Sequence, residues 1–284
     1  MTKLSAFINL TRINKPIGIF LLLWPTLTAI FLASEGVPNI YILLIFILGT
    51  VLMRSAGCIM NDLVDRNIDS FVKRTKNRPI AAGIVRPKEA IILVLILLVF
   101  SFFLVIQLNI FSIGMAFLAV VLSLTYPFTK RFFFIPQLYL GITFGFGILI
   151  AFTAIQNKIP LEAFILFLAN IFWAFAYDSH YAITDMNDDK KLNINSSALT
   201  FGNKTIMMII LSYIFMFISL SMIGILKEYG LNFFLILTIA FIICLYGCFE
   251  SRKMEPHKNF EAFLRNNYVG IIVLIGFISQ VHKI

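Results

Sequence analysis

Charge is scarce in this chain of 284 residues, at 13% of residues against 60% hydrophobic, which excludes an ordinary water-soluble domain. Aspartate is absent outside two short clusters: Asp62, Asp65 and Asp69, then Asp178, Asp185, Asp188 and Asp189. Cysteine and histidine number three each. Cys58, Cys244 and Cys248 fall in apolar runs without metal-ligand spacing, which leaves them a packing role. His180, His257 and His282 have no second histidine or cysteine at ligand spacing, so a histidine-based metal centre is excluded. His180, inside the second Asp cluster, is the one placed where a substrate could reach. No small-residue cleavage site follows the first apolar run, so that run is read as a retained helix and not a signal peptide. No linker, low-complexity tract or second soluble domain is visible, and residues 1–284 are expected to form a single transmembrane domain.

What the chain has in abundance is hydrocarbon. Apolar runs recur at Pro16–Ala33, Ile40–Ile59, Ala90–Gln107, Ile110–Ser123, Leu138–Ile155, Pro160–Tyr177, Ile206–Leu226, Leu231–Phe249 and Tyr268–Val281. Some are near the lower limit of the ~17–25 residues that a tilted span needs. The fold class is therefore all-α, a polytopic membrane protein with nine spans. The formal charge of +9 marks topology and implies no nucleic acid. With a cytoplasmic N-terminus, the loops on that side carry Lys3, Arg12, Lys15, the basic set from Arg66 to Lys88, Lys130, Arg131, Lys190, Lys191, Lys204, Arg252, Lys253, Lys258 and Arg265. The other side carries Lys158, Lys227 and Lys283. By the positive-inside rule both Asp clusters face the cytoplasm. The connections Ser34–Asn39, Leu108–Asn109, Gln156–Ile159 and Lys227–Gly230 are short, whereas the two longest, Asn61–Glu89 and Asp178–Lys204, are expected to be polar loops that hold the clusters.

Carboxylates gathered at a membrane rim repel one another and lose hydration, at roughly 2.5–3.5 kcal/mol for each charge at a helix centre. A hard divalent cation offsets that cost, and Mg²⁺ typically joins one or two carboxylates to substrate phosphates. The first cluster reads Asn61-Asp62-x-x-Asp65-x-x-x-Asp69. If the second span continues past the membrane edge as a helix, these four residues share one face. Asp178, Tyr181, Asp185 and Asp189 repeat the pattern at i, i+3, i+7 and i+11, with Asp188 off the stripe. The bland alternative, a solvated acidic face, would interleave lysines and glutamates. Lys73, Arg78 and Lys130 are candidate anion-binding groups, while Arg74, Lys76 and Arg131 are more simply topological. Arg54 lies seven positions before Asn61, two helical turns deeper on the same face, where it favours an acidic substrate over snorkelling. A few of the 31 phenylalanines could wall an apolar tunnel or face a carbocation. The Gly141-x-x-x-Gly145-x-Gly147 segment is expected to let its helix approach a neighbour closely.

These residues resemble a known family, the intramembrane aromatic prenyltransferases, and within it the 4-hydroxybenzoate polyprenyltransferases of ubiquinone biosynthesis. The resemblance covers nearly the whole chain. It rests on Arg12-Ile-Asn-Lys-Pro-Ile-Gly18, Leu-Leu-Trp24-Pro-Thr26, Met53-Arg-Ser-Ala-Gly-Cys58, Lys73-Arg-Thr-Lys-Asn-Arg-Pro79, Tyr126-Pro-Phe-Thr-Lys-Arg131, Tyr177-Asp-Ser-His-Tyr-Ala-Ile-Thr-Asp185 and Asn266-Asn-Tyr-Val-Gly270. The first Asp motif with its basic tail is shared by relatives that prenylate other acceptors. The Arg54 context, the Trp24-Pro25 segment and the Tyr177–Asp189 segment point to 4-hydroxybenzoate.

The resemblance implies a nine-helix bundle around a central lipid-open chamber in a bacterial inner membrane, with polyprenyl diphosphate and 4-hydroxybenzoate as substrates. It implies Mg²⁺ between the motifs, held by Asp62, Asp65 and Asp69 with Asp185 and Asp189. Asn61, Lys73, Arg78, Lys130 and Tyr181 would contact substrate, Arg54 would hold the acceptor carboxylate, and Asp65, Asp178 and Asp185 would serve catalysis. The competing readings are another aromatic acceptor, a CDP-alcohol phosphatidyltransferase and a divalent-cation transporter. The second lacks its Ala-Arg pair here, and the third would want its carboxylates near the midplane.

Overall fold

The structure, a computed structural model, describes residues 2–71 and 75–281. Its helices are α1 (Lys3–Thr11), α2 (Ile17–Ser34), α3 (Ile40–Val64), α4 (Arg66–Asp69), α5 (Pro87–Val105), α6 (Ile110–Thr129), α7 (Pro136–Gln156), α8 (Leu161–Lys191), α9 (Ser197–Phe201), α10 (Thr205–Leu226), α11 (Leu231–Ser251) and α12 (Pro256–Ile278). Among the described residues nine helical stretches are long and apolar enough to cross a membrane, and the described residues include no strand. Backbone amides with no water to bond must bond within their own segment, which is why long apolar runs become helices.

Helices α3 and α6 run a turn or more past their expected ends, to Val64 and Thr129, and two other spans depart further. The run expected to stop at Tyr177 continues as helix to Lys191, so the second Asp cluster sits on α8 and not in a loop. A helix of 31 residues is about 46 Å long, well beyond the hydrocarbon, and its polar end needs no lipid because it faces a cavity. The last span starts at Pro256, not Tyr268. Its early polar residues Asn259 and Asn266 are turned inward and buried, so a hydropathy count does not register them as membrane helix.

Helices α2, α7, α8 and α12 pack around one another, with α10 and α11 outside α8 and α12. They share one core, which includes Ile30, Phe152, Trp173, Tyr213 and Phe277. A smaller core joins α1, α3 and α5 through Leu10, Ala56, Ile59 and Val94. The expected close approach at α7 is present. A Cβ on Gly141 would meet the Ile171 backbone at 2.9 Å, and one on Gly145 would meet the Phe167 ring at 2.5 Å. Neighbouring asparagines lock α12 in place. Trp24 Nε1 donates to Asn267 Oδ1 (2.9 Å), while Trp173 Nε1 (2.8 Å) and the Tyr213 hydroxyl (3.0 Å) donate to Asn266 Oδ1. Buried donors are satisfied in this way, and aromatic side chains from three helices are fixed to one.

Chain direction alternates between spans, so the C-terminal ends of α3 and α8 share one rim. At the opposite rim Lys227 Nζ lies 2.8 Å from both Glu35 Oε1 and Glu162 Oε1, tying the ends of α2 and α10 to the start of α8.

Candidate active site

At the first rim a cavity of about 750 Å³ is lined by Arg54, Asn61, Asp62, Asp65, Asp69 and Arg78 from one side, and by Lys130, Asp178, Tyr181, Asp185 and Asp189 from the other. Every candidate site residue within the described part of the chain is therefore on one cavity. Lys73 lies outside the described residues. Asp188, expected off the stripe, also lines the cavity, being one helical turn from Asp185.

The first motif is not one continuous helix. Helix α3 ends at Val64, Asp65 caps it with φ −89° and ψ 4°, and α4 begins at once. Side chains hold the break open: Arg66 donates to the Leu63 carbonyl (2.9 Å) and Arg131 to the Val64 carbonyl (3.0 Å). These are two of the carbonyls a helix end leaves unbonded. The Asp65 carbonyl accepts from the backbone N–H of Ile68 and Asp69, both at 2.8 Å. Arg131, read from sequence as topological, thus has a structural task as well.

Two arginines neutralise the first cluster. Asp62 is 1% exposed. Its Oδ1 accepts from Arg12 Nη2 (2.8 Å) and lies 3.1 Å from Arg78 Nη1. Arg12 also reaches Oδ2 at 3.2 Å. Arg78 then bridges to Asp69 Oδ2 at 2.8 Å. Burial raises the Asp69 pKa above its ordinary value although Arg78 opposes the shift. For Arg78, burial works to lower the pKa, but Asp62 and Asp69 outweigh it and hold the guanidinium above its ordinary value. Asp65 accepts from Asn61 Nδ2 at 3.2 Å. Sequence reasoning gave Arg12 no site role. It sits fifty positions from Asp62, and its only signal was its place in the Arg12–Gly18 motif.

On α8 the stripe Asp178, Tyr181, Asp185, Asp189 faces the cavity, and Tyr181 packs on Phe263 of α12 with ring centroids 5.0 Å apart. Deeper in the same cavity are Tyr126, Phe144, Tyr177 and Arg54. Arg54 carries its guanidinium 5.4 Å from the Phe144 ring centroid. Its Nε and the Tyr177 hydroxyl are buried without a hydrogen-bond partner among the described residues. A buried polar atom without a partner is costly unless a ligand supplies one. His180 does not line the cavity. It is buried on the face of α8 that meets α12, with Nδ1 2.9 Å from Asn259 Oδ1. Cys244 and Cys248 are buried, whereas Cys58 also lines the cavity.

Among the described residues no group of three or more histidines, cysteines or acids converges into a ready metal cage. The donors nonetheless fit Mg²⁺, which keeps its waters and takes one or two carboxylates together with phosphate oxygens. Carboxylates on two facing walls, with arginine and lysine beside them, suit an ion shared with a diphosphate.

The sequence model of the UbiA prenyltransferase family matches residues 22–269. The chain is 48% identical over 278 residues to the 4-hydroxybenzoate octaprenyltransferase of Methylobacillus flagellatus, covering 98% of this chain and 94% of that one. It is 46% identical to the protein of the same name from Nitrosomonas europaea, covering 97% and 94%. In fold it resembles a UbiA homolog from Aeropyrum pernix K1, with a TM-score of 0.81 at 22% identity over 92% of this chain and 97% of that one. It also resembles a UbiA homolog from Archaeoglobus fulgidus bound to GPP and Mg²⁺, with a TM-score of 0.76 at 14% identity over 98% and 100%.

Proposed function

The chain belongs to the UbiA prenyltransferase family, and from that premise we propose that it is a 4-hydroxybenzoate polyprenyltransferase acting in ubiquinone biosynthesis. It transfers the chain of an all-trans polyprenyl diphosphate to the ring carbon ortho to the acceptor hydroxyl and releases diphosphate. The observation that carries this reading is a single cavity with carboxylates and cations at its mouth and, at its depth, an arginine among aromatic rings whose buried Nε has no hydrogen-bond partner among the described residues. The relatives' shared activity supports it over a cation transporter or another acceptor.

The residues divide the work by depth. Asp62, Asp65 and Asp69 on one wall and Asp185 and Asp189 on the other would hold Mg²⁺, which supplies charge stabilisation to the departing diphosphate. Asn61, Arg78 and Lys130 donate to the same oxygens, so negative charge builds where donors already point. As the C1–O bond breaks, its electrons leave with the diphosphate and C1 becomes cation-like. Arg54 holds the acceptor carboxylate, and Tyr181 lies along the approach. The ring carbon ortho to the hydroxyl bonds to C1, and Asp178 accepts the ring proton. A chamber enclosed by the bundle keeps water from the cation.

We also infer that residues 1–284 work as one transmembrane domain in a bacterial inner membrane, with the site facing the cytoplasm. The excess of basic residues at the site's rim supports this. The test is to incubate membranes bearing the protein with Mg²⁺, an allylic polyprenyl diphosphate, and 4-hydroxybenzoate, homogentisate or a dihydroxynaphthoate in turn, then identify products by mass spectrometry. The expected result is 3-polyprenyl-4-hydroxybenzoate, lost on chelation with EDTA. Product with a different acceptor only would overturn the acceptor assignment, and no product at all would overturn the activity.

A further inference from the structure

Gly18 is the second residue of helix α2. A helical position gives glycine no conformational task, and alanine has the higher helix propensity. Some other constraint must keep the side chain absent. A Cβ at this position would meet three atoms of one side chain before any other: Arg54 Nη2 at 2.6 Å, Nε at 2.7 Å and Cζ at 3.0 Å. Across from it the guanidinium faces the Phe144 ring at 5.4 Å. Arg54 is thus seated in a slot between the α2 backbone and an α7 ring, and Gly18 and Phe144 both line the cavity.

We propose that Gly18 is a positioning residue for acceptor recognition: the absent side chain leaves the Arg54 guanidinium its place against α2, and the guanidinium so placed fixes where the acceptor's carboxylate binds. This rests on the assignment of Arg54 to the acceptor carboxylate. The atoms a methyl group would strike are the free end of a flexible side chain, with no backbone among them. Gly18→Ala therefore relocates the guanidinium without obstructing the fold. A bidentate contact between two planar groups tolerates little displacement, and a shift of about 1 Å in a positioned group can cost up to ~100-fold.

The experiment titrates 4-hydroxybenzoate at saturating Mg²⁺ and polyprenyl diphosphate for the wild type, G18A, R54A and the double variant, and separately measures KM for the polyprenyl diphosphate. G18A is expected to raise the acceptor KM about tenfold or more while the diphosphate KM stays within twofold of wild type. In the R54A background the same change is expected to add nothing, because a residue that acts through another is silent once its partner is gone. An acceptor KM raised by R54A but untouched by G18A sinks the proposal, as does a G18A effect that persists in the double variant. An unchanged KM in R54A overturns the underlying assignment instead. If G18A fails to accumulate in membranes while the double variant accumulates, the clash with Arg54 is demonstrated directly. Failure of both makes Gly18 a packing requirement and ends the idea.

Discussion

The two rims of this bundle hold similar charges to opposite ends. At the rim away from the cavity one lysine, Lys227, meets two glutamates at 2.8 Å each and ties three helices, with the turns there closed by left-handed caps at Glu35, Asn157 and Glu228. The arrangement is complete in itself. At the cavity rim, acids from two helices line one space, and Arg12 and Arg78 pair with Asp62 and Asp69 within it. What separates a structural ion pair from a binding site is convergence: the far rim satisfies its charges locally, whereas the near rim leaves a space that suits cations and phosphate.

Substitutions at each rim break the comparison in order of effect. Asp185→Asn or Asp65→Asn is expected to reduce turnover more than about 1000-fold, since several kcal/mol of charge stabilisation leave with the metal. Prenylation assays at saturating Mg²⁺ check this, and robust turnover by either variant would remove it from the metal set. Arg12→Ala removes a donor at 2.8 Å from a buried carboxylate. It is expected to lower kcat/KM for the polyprenyl diphosphate about 10- to 100-fold, from the ~1.5–3 kcal/mol of a hydrogen bond to a charged group. Wild-type kinetics in this variant would leave Arg12 a spectator. Lys227→Ala is expected to cost about 1–3 kcal/mol of stability, because Glu35 is half exposed whereas the mostly buried Glu162 loses its cation. Thermal unfolding in detergent with unchanged turnover is the readout, and a large loss of activity would mean that the far rim governs the site.

Much of this was legible in the sequence because membrane physics is legible. Nine apolar runs became nine spans, and the i, i+3, i+7, i+11 spacing on α8 put its acids on one wall. Helix limits were not legible where helix and hydrocarbon part company. The end of α8 past Tyr177 and the start of α12 before Tyr268 are polar stretches whose inward faces meet a cavity or a buried asparagine. Nor was the break at Asp65, where the freed Val64 carbonyl is met by Arg131 from sixty-seven positions along the chain. The Arg12–Asp62 pair is hidden for the same reason, because spacing along a chain describes one helix while a pair between helices requires the fold.

The paired asparagines of α12 carry a consequence for assembly. Asn267 holds the indole of α2, and Asn266 holds the indole of α8 and the phenol of α10. Helix α12 follows all three in chain order, so during synthesis these donors wait in the bilayer until the ninth span arrives and takes them together. Phe260 and Phe263 of the same helix line the cavity, so the cavity lacks that side until the element made last among the nine is in place.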